Sequence, residues 1–204
     1  MVKNGLIDKI FDSVANIDIG RQNLATSGKT EAGLSILTDG LQNAISAYQE
    51  ARTNCNLELI WRAEAAYLAH EKEICEETIR EKGKDMANLL ILSGLSNMLV
   101  KSNDALRSLN TLETNPQDYV KAETTHPTTG TPYRVRSGVP KDAFHNACNY
   151  NIKCLQHSLA TPGINQPEKE LMKHRIENLQ YAKIEYEKLQ KKALGLPETT
   201  IKRR

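Results

Sequence analysis

Aromatic residues are scarce in this 204-residue chain, with two Phe, one Trp and seven Tyr making up 5% of it. Hydrophobic residues of every kind reach only 39%, so Leu, Ala and Ile must do most of the packing, as they do in helical bundles. Proline is missing from the whole span between Thr30 and Asn115, which removes the one residue that would force a helix to break there. Alternating β-branched runs, the signature of strands, are nearly absent. No apolar run reaches the roughly 20 residues needed to cross a bilayer. Residues 1–20 lack the continuous apolar core of a cleaved secretory signal.

The four cysteines, Cys55, Cys75, Cys148 and Cys154, are too few in a chain this long to read as a disulfide framework. They are expected to be reduced thiols in a cytoplasmic (intracellular) protein, although secretion as an effector without a cleaved signal peptide would leave the same pattern. Catalytic signatures are missing as well. No carboxylate pair, nucleophile–base pair or glycine-rich cradle accompanies the polar residues His126, Tyr133, Arg134, Arg136, Lys141 and His145. Ser27-Gly28-Lys29-Thr30 resembles the end of a phosphate loop, but Asn23 stands where that loop needs glycine and a helical pattern precedes it instead of a strand.

What is present is helical periodicity. The chain is organised around the stretch from Thr30 to about Leu109. Leu34, Leu41, Tyr48 and Cys55 recur every seven residues, with Leu37, Ala44 and Ala51 between them, which draws one apolar stripe along a helix. Thr30 is placed to cap its start. The stripe shifts at Asn54-Cys55-Asn56, read as a bend or register change. Leu57, Trp61, Ala65, Leu68, Cys75 and Ile79 then share one side, with Ile60, Tyr67 and Ile74 adjoining. Gly83 is a helix stop and Asp85 a cap for the next helix. That helix carries the most apolar run in the chain, 87–100, with apolar residues nearly all round it, which predicts a central position in the bundle, with a partner-binding face as the alternative. A first, weaker helix over 2–24 uses Leu6, Ile10, Val14 and Ile17, and Gly20 with the polar run Thr26-Ser27-Gly28 is read as its end.

Residues 110–140 are rich in Thr, Pro and Gly and hold no helical period. A connection that long is functional or mobile; Thr131–Gly138 has a short alternating core that predicts an extended segment. A helix then runs from Pro140 to about Leu159 with Phe144, Ala147, Cys148, Ile152, Leu155 and Leu159 inward. The last begins at Pro167, repeats Met172, Leu179, Tyr186 and Ala193, and ends at Gly195. It has the pattern of a coiled coil, within the chain or with a second copy.

These readings predict an all-α fold: an antiparallel helical bundle of five or six helices, with the long loop before the last two. The expected organisation is a single helical domain over 1–196 with 110–140 as an insertion, and a basic tail over 197–204. Charge is divided. Residues 1–118 hold 12 Lys/Arg against 17 Asp/Glu, and 119–204 hold 15 against 8. Either the two halves face each other, or the basic half meets nucleic acid or an acidic protein. His145, Cys148, Cys154 and His157 have zinc-ligand types, but a continuous helix puts Cys154 half a turn from His145, so no metal is assigned. His70 reads as a surface histidine. The loop offers the one small-molecule site, where His126, Tyr133, Arg134, Arg136, Lys141 and His145 could hold an anion or a partner.

No cofactor is expected. The leading expectation is a non-enzymatic protein–protein interaction protein, an adaptor, regulator or effector that could self-associate through its last helix. A nucleic-acid-associated protein using the basic C-terminal half is the second, and an enzyme with its site under the 110–140 loop the third.

Overall fold

Three side chains punctuate the central stretch. Thr30 Oγ1 accepts the Gly33 backbone N–H at 3.2 Å, Asn56 Oδ1 accepts that of Leu59 at 3.0 Å, and Asp85 Oδ1 accepts that of Asn88 at 2.7 Å. Each satisfies an orphan donor of a helical first turn, at about 1 kcal/mol per cap. The computed structural model describes residues 2–28, 30–114, 123–125, 132–134, 143–193 and 195. Among them are six helices: α1 (Val2–Ser27), α2 (Glu31–Thr53), α3 (Leu57–Lys82), α4 (Met86–Thr114), α5 (Ala143–Leu159) and α6 (Gln166–Ala193). Backbone alone is described for 123–125 and 132–134, which pair antiparallel as a three-residue ribbon, β1 (Glu123–Thr125) and β2 (Pro132–Arg134), with Thr124 opposite Tyr133.

The helices form a closed ring. α1 lies against α2 and α3, α4 lies between α3 and α5, and α6 lies between α5 and α2. Across the ring α3 also meets α6. One buried cluster draws residues from all six helices, among them Ile10, Leu41, Trp61, Leu109, Phe144 and Leu179. Its aromatic centre is small. Phe144 stacks flat on Tyr186 with ring centres 3.8 Å apart, and Trp61 meets Phe144 edge-on at 5.6 Å.

Asn54–Asn56 is a helix boundary, not a bend inside one helix. Cys55 sits at φ 50° between the two helices, and the chain folds back so that Tyr48 meets Glu64. Gly83 ends α3 at φ 90°. The apolar side of α6 is taken up within the chain, where Leu171, Ile176, Leu179, Ala182 and Tyr186 are buried.

Four expectations are corrected. Gly20 does not end α1. It lies inside the helix where α1 crosses α2, and a Cβ there would come within 2.6 Å of the Leu37 backbone N. His70 is half-buried, with its ring 5.7 Å from that of Phe11. Leu34 and Cys55, placed on the α2 stripe, are exposed. The largest correction concerns 87–100. Only Met98 is buried there, while the buried side of α4 is Met98, Ser102, Ala105, Ser108, Leu109 and Leu112. The apolar circumference of the first half of α4 faces mostly outward.

Candidate interaction surface

Of the six residues assigned to an anion or partner site, His126, Arg136 and Lys141 lie outside the described residues. Tyr133 and Arg134 are described as backbone, in β2. His145 has a described side chain, in the first turn of α5. Its Nε2 lies 3.2 Å from Glu187 Oε1, and its ring packs edge-on against Tyr186. The imidazole therefore closes the outer side of the aromatic centre.

The best-defined polar groups are buried and mutually satisfied. Glu64 is 1% exposed and Arg175 5%. Arg175 Nε donates to Glu64 Oε2 at 3.0 Å, and its Nη2 donates to Oε1 at 2.6 Å. The Tyr48 hydroxyl donates to Glu64 Oε2 at 3.0 Å, and the Arg175 guanidinium lies 4.3 Å above the Tyr67 ring. Burial opposes the Arg175 charge, but the Glu64 carboxylate more than offsets it, and the guanidinium pKa is raised. Asn178 donates to the Tyr48 carbonyl at 2.7 Å. Nearer the surface Arg21 bridges Glu71 and Glu168. Burial, partly opposed by Arg21, raises the Asp18 carboxyl. These contacts tie α1, α2, α3 and α6 together.

The sequence carries a signal for this cluster. Glu64 is four residues from both Ile60 and Leu68, and Arg175 four from both Leu171 and Leu179. Each is therefore a charge on the apolar side of its helix, which signals a buried pair.

The thiols are free. Burial pushes Cys148 up to about 12. Cys55 is exposed beside an open depression of about 460 Å³ lined by Asn54, Asn56, Leu57, Glu58, Glu113 and Leu189. No group of three His, Cys, Asp or Glu side chains among the described residues is arranged to hold a metal ion. No described helix is long and apolar enough to cross a membrane.

What remains is the outward side of α4. Met86 is 72% exposed, Leu90 66%, Val100 54% and Leu89 39%. At 100° per residue these four, with Ser93 and Asn97 among them, fall on one stripe. Ile91, 54% exposed, lies round the helix from it. Residues 86–100 contain no Asp, Glu, Lys or Arg. Nothing lies within 4 Å of where a Gly94 Cβ would stand. Scattered exposed apolar residues are ordinary, but an uncharged apolar stripe over four turns of one helix has the character of a contact surface. Compared with protein families, curated proteins and solved structures, the chain shows no match.

Proposed function

We infer that this is a helical protein–protein interaction protein, acting without catalysis as an adaptor or regulator, and that the outward stripe of the first half of α4 is its docking face. The observation that carries this reading is the exposure of Met86, Leu89, Leu90 and Val100 on a segment without a formal charge. Leaving that much apolar surface in water costs free energy that a partner recovers by covering it. The nucleic-acid alternative has weaker support. Arg175 is spent on Glu64 inside the bundle, and Lys173 and Lys188 on α6 pair with Glu170 and Glu185. The anion-binding reading of His126, Tyr133, Arg134, Arg136 and Lys141 rests on their sequence pattern. An intracellular location is part of the same proposal.

The test is the native mass of the tagged full chain in extracts of the cells that make it. It should run larger than the free chain, and Leu89→Glu combined with Leu90→Glu should return it to the mass of the free chain. An unchanged mass would remove α4 as the docking face.

A further inference from the structure

We propose that residues 76–94, the end of α3 and the start of α4, form a helical arm that opens and re-forms as one unit while the rest of the bundle stays folded. Burial sets its limits. Ile74 on α3 and Leu95 on α4 pack against the core cluster, and Cys75 and Met98 are buried. No residue from Glu76 to Gly94 is buried. Outside the arm both helices are fixed. α3 carries Trp61 and Leu68 fully into the core. Asn151 of α5 donates to the Met98 carbonyl at 3.4 Å and to Ser102 Oγ at 3.1 Å, which pins α4 just beyond the arm.

Inside the arm little resists opening. Local stability follows buried apolar contact, and Ile79 and Leu92 are only half-buried. Cys75 Sγ donates to the Asn88 carbonyl at 3.6 Å, but a thiol is a weak donor. The ion pairs Lys72–Glu76 and Arg80–Glu77 run along α3 and do not tie it to α4. Gly83 ends α3 at φ 90° at the tip, and Gly94 weakens α4 at the base relative to alanine. Isolated helices shorter than roughly 12–15 residues are marginal in water, and 76–82 and 86–94 both fall short of that. Each piece holds because α3 and α4 pack together. Losing one uncovers the other, so the two open together. Met86, Leu89 and Leu90 stand on the arm, so its opening dismantles the apolar stripe, and whatever covers the stripe holds the arm closed. That consequence rests on the reading of α4 as a docking face; the opening itself does not.

The test is native-state hydrogen exchange of the purified full chain, read segment by segment by mass spectrometry. Amides of 76–82 and 86–94 should exchange on the order of a hundredfold faster than those around the buried Trp61, Leu109 and Leu179, yet more slowly than in an unfolded chain. Ile60→Val loosens the core at the end of α3 far from the arm. It should speed exchange in the bundle roughly two- to tenfold and leave the arm unchanged. Gly94→Ala should slow the α3 and α4 sides of the arm alike, by about two- to fivefold. An arm as protected as the bundle would overturn the proposal, as would an arm that speeds up with Ile60→Val. Exchange at the unfolded rate would overturn it too, because no closed arm would exist. So would a Gly94→Ala effect confined to α4, which would mean that the two helices fray separately. Each of these results leaves the docking face to be judged by the mass in cell extracts, so the two readings fail separately.

Discussion

Glu64 and Arg175 show how strongly a single residue's worth depends on its partner. Both have left water almost completely, and the bidentate pair with the Tyr48 hydroxyl replaces the lost hydration. Arg175→Met should therefore destabilise the fold by about 3–5 kcal/mol, because it strands the Glu64 carboxylate in the core. Replacing Glu64 with Leu in the same chain should recover most of that loss, since an apolar pair of similar volume carries no desolvation cost. Urea denaturation of the two single variants and the double variant measures the coupling. Cys148 gives a pH prediction. Burial, slightly opposed by Lys183, pushes its thiol up to about 12 in the fold from an ordinary value of 9.0. The stability this contributes is present in full below about pH 9. It is lost as pH rises toward 12, because the unfolded chain releases the proton first. The loss should approach about 4 kcal/mol at most, with the buried Tyr48 and Tyr67 hydroxyls, also raised by burial, adding in the same direction. Urea midpoints between pH 8 and 11 should fall less steeply for Cys148→Ala than for the wild type.

At the scale of elements, the helix ends were legible and the helix crossings were not. Thr30, Gly83 and Asp85 act through hydrogen bonds and backbone angles within a few residues of themselves, so a local reading finds them. Gly20 has the same local appearance as a helix stop, yet it is a contact between two helices. A Cβ at Gly20 would meet the Leu37 backbone, and one at Gly40 would come within 2.8 Å of the Ile17 backbone N. Gly20→Ala and Gly40→Ala should each force α1 and α2 apart and cost about 1–3 kcal/mol. Gly94→Ala meets nothing in the chain and should stabilise α4 by about 0.5–1 kcal/mol through helix propensity. Chemical denaturation of these variants would show the opposite signs. The same limit explains the misreading of 87–100. An apolar circumference identifies a helix that wants cover on every side, but it does not say whether the cover comes from the same chain.

At the scale of the whole molecule, ion pairs join the two halves of the chain. Arg52 of α2 pairs with Glu177 of α6, Arg21 of α1 with Glu71 and Glu168, and Glu64 of α3 with Arg175 of α6. Of these, only Glu64–Arg175 sets an acid of the acidic half against a base of the basic half. Several of the pairs join the two halves and so fasten the ring that closes between α2 and α6. The candidate anion residues at 126–141 fall mostly outside the described residues, and His145 serves the aromatic centre beside Tyr186.

By itself the sequence determined the class and the pieces. The 3.6-residue period, the absence of strand patterns and the capping residues specify helices, because those signals act over one to three turns. Only the tertiary structure decided which apolar faces are paid for by burial within the chain. Met98, Leu109 and Leu112 are covered, while Met86, Leu90 and Val100 on the same helix are not. Burial depends on the position of every other helix, and no local pattern encodes that.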